Sequence, residues 1–240
     1  MINRYPDSFS LGFPLLPCLL FLFGTFFYAS LSAQAVYTRV EADFSMKEKT
    51  GDGGSSLTMG KVYFDKSQNK IVYNITFPKA EILISTDSFL YKIEADSLVE
   101  KLPNMNITKF SVLSLCLSGE LPYFGLRQTP YKMTDVDKDG EMVISSWLPP
   151  EDYADTHGKM ILSQKQKQLY GLISLNPGGD IIAKQFFRKY ELISGLHFPT
   201  EIIALTYHGG TERKQITTYR NITLNQMQDE TFYTYPVPAQ

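Results

Sequence analysis

Residues 39–47 read RVEADFSMK. Val40, Ala42, Phe44 and Met46 alternate with Arg39, Glu41, Asp43, Ser45 and Lys47, so an extended segment here is apolar on one side and polar on the other. Period two is the pattern of a strand buried on one face. Working outward, the turn-rich run Gly51-Asp52-Gly53-Gly54-Ser55-Ser56 leads to a second strand over 57–65. After Ser67-Gln68-Asn69, the residues Ile71, Tyr73, Ile75 and Phe77 alternate again up to Pro78, and short strands follow at 81–85 and 89–94. Strands are also predicted over 131–136, 141–148, 159–165, 168–175, 181–192, 198–207 and 214–224. They are joined by Asp139-Gly140, Asn176-Pro177-Gly178-Gly179-Asp180 and His208-Gly209-Gly210, which carry turn residues. The tail around 232–235 is expected to add an edge segment.

One stretch breaks the alternation. Between Asn106 and Gly119 the apolar residues Ile107, Phe110, Val112, Leu113, Leu115, Cys116 and Leu117 follow a helical face, with Gly119 as C-cap and Pro122 as a stop. The expected architecture is therefore mainly β: an antiparallel sheet of about eleven strands with one apolar helix. Patterning alone leaves two readings open. In one, the sheet packs the helix as an ordinary core. In the other, it curls into an open basin larger than one helix can fill.

Composition narrows the function classes. The chain has 240 residues, 43% hydrophobic, with 16 Phe, 15 Tyr and 1 Trp. Such hydrophobicity at a net charge of -2 excludes a disordered chain. The isoelectric point near 5.9 gives no general attraction to phosphate, so no nucleic-acid partner is expected. Two cysteines exclude a disulfide framework or a thiolate metal cluster.

The front of the chain reads as a targeting segment. Arg4 precedes the apolar stretch LLPCLLFLFGTFFYASL at 15–31, and the small-residue pattern Ala33-Gln34-Ala35 follows, as in a secretory signal peptide cut after Ala35. Retention as an anchor is the alternative, although the stretch is short beside the roughly 20 residues a spanning helix needs. Cys18 is not a lipidation site, because most of the apolar run follows it and Pro17 precedes it. The mature chain would run from Val36 to Gln240 as a single domain, with Cys116 its one thiol, set among leucines as a buried hydrophobe.

No constellation argues for an enzyme. His157, His197 and His208 are widely spaced, and no G-x-S-x-G elbow, P-loop or G-x-G-x-x-G occurs. Asp135-Val136-Asp137-Lys138-Asp139-Gly140 matches the first half of an EF-hand loop, but Ser146 stands where the bidentate Glu belongs. An acidic hairpin turn is the expectation there, and neither metal nor cofactor is expected. Asn74, Asn106 and Asn221 each open an Asn-Ile-Thr triplet, which is ordinary strand vocabulary as well as a glycosylation pattern.

The order of these features resembles the bacterial periplasmic lipoprotein-carrier family, LolA-like, which shares its fold with the LolB receptor and the RseB-type sensor domain. The resemblance is carried by residues 42–47 (ADFSMK) as first strand, 60–64 (GKVYF) as second, 70–78 (KIVYNITFP) as a third ending in proline, and 82–91 (ILISTDSFLY) as a hairpin. The run Phe110 to Gly119 falls where the family has a lid helix, and residues 190–199 (YELISGLHFP) are similar to a late segment of its relatives. It implies a half-barrel whose concave face, covered by the lid, binds acyl chains of lipid or lipoprotein. The chain departs from the carriers in two places. Only Val36-Tyr37-Thr38 precede the first strand, where carriers have an amphipathic helix. Lys66-Ser67-Gln68-Asn69 occupies the region of an arginine-proline pair whose arginine helps hold the lid closed, making Lys66 a weaker substitute.

On this reading the basin draws on Phe44, Val62, Phe64, Tyr73, Ile75, Phe77 and Ile84 from the sheet, and on Leu113, Cys116 and Leu117 from the lid. The expected function is a non-enzymatic periplasmic carrier or chaperone that delivers its cargo toward the outer membrane, between an inner-membrane donor and an outer-membrane acceptor. The alternative is an envelope sensor or protein-interaction module on the same fold.

Overall fold

The structure is a computed structural model in which residues 36–104, 106–226 and 230–237 are described. The leader expected at 1–35 lies outside them. Thirteen strands form one antiparallel, curved and unclosed sheet in the order β6-β5-β4-β3-β2-β1-β13-β12-β11-β10-β9-β8-β7. They are β1 Arg39–Thr50, β2 Ser55–Asp65, β3 Lys70–Phe77, β4 Glu81–Ser85, β5 Phe89–Glu94, β6 Ser97–Pro103, β7 Lys132–Asp139, β8 Met142–Leu148, β9 Met160–Lys165, β10 Gln168–Leu175, β11 Ile181–Ile193, β12 Leu196–His208 and β13 Thr211–Leu224. Consecutive strands pair throughout except β6 and β7, and one further pairing, β1 with β13, joins the two ends of the chain of strands. The meander is thus cut between β6 and β7, which become the two edges.

The half-barrel expectation holds, with thirteen strands rather than about eleven. The strand most plainly missed is β6. Its turn is Ala95-Asp96, both at positive φ, a two-residue hairpin geometry that normally advertises itself with Gly or Asn. Its residues are also mostly exposed, so no alternation marks them. The tail is not an edge strand either. Residues 231–234 form turns that pack onto a face of the sheet.

Alternation along β1 and β2 assigns the two faces. Val40, Ala42, Phe44, Val62 and Phe64 belong to the main core, together with Ile71 and Ile75 of β3 and Phe187, Phe198 and Tyr219 of the later strands. This is the inner face, and it carries the helix. The outer face holds a second core of Tyr63, Val72, Ile84, Tyr91 and Ile93, closed by Tyr233. Phe232 stacks on Tyr63 at 4.8 Å between centroids, and Tyr233 meets the same ring edge-on at 5.5 Å.

The tail is held by charge as well as by rings. Arg39 Nε lies 2.8 Å from Asp65, its Nη1 lies 2.6 Å from Glu230, and the guanidinium sits 4.7 Å from the Tyr233 ring centroid. Buried Lys70 donates to the Tyr235 carbonyl at 2.7 Å. Burial opposes ionisation of Asp65, but hydrogen bonds from Ser67, Arg39 and the Gln68 and Ser67 backbone outweigh it and hold the carboxyl below its ordinary range.

Gly60 permits a close strand approach. A Cβ there would stand 2.1 Å from the Asn74 carbonyl oxygen, at the bulge between β2 and β3.

Candidate functional site

The chain between β6 and β7 must travel from one sheet edge to the other, and it does so across the inner face. This crossing, described at Asn104 and over 106–131, is the lid. It contains helix α1 (Val112–Ser118) and 3-10 turns at Leu121–Tyr123 and Leu126–Gln128. The helix is shorter than the 106–119 span expected. Ser111 caps it by accepting from the Ser114 N–H at 3.1 Å, which fixes the start five residues later than apolar spacing suggested. Gly119 ends it at φ 73, as the C-cap reading required.

Leu113, Leu115, Cys116 and Leu117 of α1 are all buried, and so are Leu121, Phe124 and Leu126 beyond it. These side chains meet Phe44, Val62, Phe64 and Ile75 of the sheet in one core, with Tyr73 packed against it. Phe44 and Tyr73 stand edge-to-face at 5.4 Å. Eight of the ten expected basin residues (Phe44, Val62, Phe64, Tyr73, Ile75, Leu113, Cys116, Leu117) therefore converge under the lid.

Two do not. Ile84 pairs with Val72, which alternates with Ile71, so it lies on the outer face in the second core. Phe77 is displaced by the bulge. It pairs with Met59, not with a residue of Gly60's face, and its side chain is 44% exposed in an outer-face groove with Leu57 and Ile216. Even spacing along β3 placed Phe77 with Ile75, and the extra residue at the bulge reverses that parity.

The basin also has members that periodicity within one strand did not reveal. Tyr219 comes opposite Phe44 through the β1–β13 seam. Phe124 and Phe187 meet at 6.1 Å, and Tyr123 meets Trp147 at 6.4 Å. The signal for Phe124 and Leu126 was present in the apolar run after Pro122, a residue that stops α1 without ending the lid.

The basin is largely occupied by the lid itself. Space remains on either flank. One cavity of about 420 Å³ is bordered by Phe110, Phe124, Leu126, Tyr131 and Met160, and another of about 360 Å³ by Cys116, Leu121, Leu169, Tyr190 and His197. Polar ties to the sheet gather at the ends of the lid, where Asn104 and Thr108 also bind the Thr86 carbonyl and the Tyr131 hydroxyl donates to the Gly158 carbonyl, and they are few along its centre. Lys66 Nζ donates to the Leu117 carbonyl at 3.2 Å, and Gln164 donates to the Pro122 carbonyl. A buried hydroxyl pair, Ser85 and Thr108 at 2.6 Å, joins Asn104 at the point where the lid leaves β6.

Electrostatically the basin is a poor home for charge. Burial pushes the Cys116 thiol far up, so it is neither a thiolate nor a nucleophile. Burial likewise raises the Tyr73 phenol to about 12. Among the described residues no group of three His, Cys, Asp or Glu could hold a metal. Asp135, Asp137 and Asp139 lie along exposed edge strand β7, with Gly140 in the turn, which is the acidic hairpin expected.

No family model matches the chain, and no curated protein matches it in sequence. Solved structures do match in fold. A LolA superfamily protein from Nitrosomonas europaea aligns with a TM-score of 0.55 at 13% identity, over 83% of this chain and 91% of its own. A DUF1329 family protein from Desulfovibrio piger gives 0.56 at 15%, over the same shares. An outer membrane lipoprotein-sorting protein domain from Vibrio parahaemolyticus gives 0.55 at 10%, over 81% and 89%. An open sheet of thirteen strands crossed on its inner face by an apolar lid, alignable with these neighbours over most of its length, gives this chain the LolA-like fold.

Proposed function

We propose that this protein is a non-enzymatic carrier that shelters acyl chains of lipid or lipoprotein beneath its lid, in the periplasm. The observation that supports it is the composition of the lid contact. The lid fills the inner face with apolar side chains, and its central segment holds on with few polar bonds, so the place of that segment can be taken by another apolar body. The magnitudes allow such an exchange. Leu113, Leu115, Leu117, Leu121, Phe124 and Leu126 each gain about 1.5–3 kcal/mol by burial, and an acyl chain returns about 0.8 kcal/mol per methylene. A long chain therefore offsets much of what the displaced lid loses. The flanking cavities beside Cys116 and Phe124 offer entry without full opening. The lipoprotein-sorting domain among the structural neighbours agrees with this reading.

A second reading draws on the same core. Because the lid fills the basin unaided, with Leu113 fully buried, the sheet would equally suit a sensor or interaction module that transports nothing.

Native mass spectrometry of protein purified without detergent separates the two. The carrier reading expects a discrete adduct that releases phospholipid or acylated peptide on activation. A clean apo mass, with no uptake of added acyl chains, would sink it in favour of the interaction module.

A further inference from the structure

The outer face carries a groove that the lid and basin do not use. Near the end of the long β1–β2–β13 ribbon, Leu57 and Ile216 lie on either side of Lys47 as its cross-strand partners. With Phe77 and Pro78 they form the apolar floor of an open groove of about 750 Å³. Its size falls within the range of small-molecule sites. Its rim is basic. Lys47, Lys49 and Lys214 line it, and all three are exposed.

The arrangement of these lysines is costly. Lys49 stands directly opposite Lys214 across the β1–β13 ladder, and like charges in directly opposed positions destabilise a sheet. Among the described residues none of the three has a carboxylate partner within 4.0 Å. The one acidic residue of the lining, Glu48, faces Arg213 at 3.2 Å instead. By contrast, Lys61, further along the same face, is fully engaged with Glu41. The surface thus neutralises its charge along β1 and stops doing so at the groove.

We infer that this groove binds a single-chain anionic amphiphile, its acyl chain on Leu57, Phe77, Pro78 and Ile216 and its anionic head among Lys47, Lys49 and Lys214. An anionic head relieves the Lys49–Lys214 repulsion, and the chain covers apolar surface that the fold leaves wet. The occupant has one chain because the apolar floor consists of four side chains, Leu57, Phe77, Pro78 and Ile216, with charged or hydroxyl residues around them. This site is separate from the basin, since Phe77 and Leu57 lie on the opposite side of the sheet from Phe44.

The test uses cis-parinaric acid, a fluorescent fatty acid, and its uncharged methyl ester. Parinarate is expected to bind the full protein, with the ester weaker by about tenfold or more, and the Lys47→Glu/Lys49→Glu/Lys214→Glu variant weakened to a similar degree. Phe77→Asp should weaken both probes, and since its side chain is exposed the fold should survive, as circular dichroism would show. Unchanged parinarate binding in both variants overturns the inference and assigns the probe to the basin. Lysine-dependent adsorption to phosphatidylglycerol vesicles without uptake of monomeric parinarate also overturns it, in favour of a membrane-docking surface. Failure of the basin as a carrier site has its own readout, the absence of phospholipid or acylated-peptide adducts in the native mass spectrum.

Discussion

Lys66 holds the lid with one ammonium where an arginine would offer a planar fork. Its bond to the Leu117 carbonyl, 3.2 Å long and at an exposed residue, is a point contact. Such a bond is worth about 1 kcal/mol after solvent screening. Lys66→Ala should therefore raise the open population of the lid about fivefold. Cys116 reports it, because its thiol is buried with its pKa raised and reacts faster as the lid opens. In a Cys18→Ser background, labelling of Cys116 should accelerate by about that factor in the Lys66 variant. An identical rate in both proteins would remove Lys66 from the role of latch.

Tyr73 belongs to the same scale. Its phenol rises from 10.0 to about 12 by burial, and that of Tyr219 rises well above its ordinary value for the same cause. In each case the protonated form is the one the fold favours. Stability from these groups is fully present below pH 10 and falls as pH climbs toward 12, because the unfolded chain ionises first. Denaturant melts across that window should show the decline, and Tyr73→Phe should flatten part of it. An unaltered slope would mean that Tyr73 is not sealed under the lid.

At the scale of elements, the two edge strands are where an unclosed sheet risks pairing with a second copy. All eight residues of β7 are exposed, and Lys132, Asp135, Asp137, Lys138 and Asp139 give it charge of both signs. Charged edges discourage strand addition. The D-x-D-x-D-G motif is accounted for by this position, at the rim and away from any chelating loop. Replacing Asp135, Asp137 and Lys138 together by valine should leave the monomer fold intact yet promote self-association, which sedimentation velocity would detect. A variant that stays monomeric would show that bulge geometry between β7 and β8, not charge, protects the edge. The tail is the other decisive element. Tyr233 closes the outer core, and Tyr233→Ala should cost about 3 kcal/mol or more, seen in chemical denaturation. A near-neutral result would mean that the Arg39–Glu230 and Lys70–Tyr235 contacts hold the tail without its rings.

For the molecule as a whole, alternation in 39–47 and 71–77 settled the strand class and set Phe44, Tyr73 and Ile75 on the inner face, because side-chain direction in a strand is a local property of period two. The apolar break near 110–117 identified a helix on the same grounds, while its place as a lid was implied by the family resemblance. Local pattern has no access to pairing. Only the tertiary structure joined β1 to β13 and so brought Tyr219 opposite Phe44. Only a bulge could carry Phe77 to the outer face beside Leu57, since one unpaired residue reverses every later side chain without altering the sequence spacing. Ile84 went outward for a related reason: register with Val72, and not its own neighbours, fixed its side. Whether the lid fills the basin was likewise a matter of three-dimensional volume. A helix lying in the sheet and a helix lifted from it expose the same residues in the same order, and the difference between them resides wholly in the contacts they make.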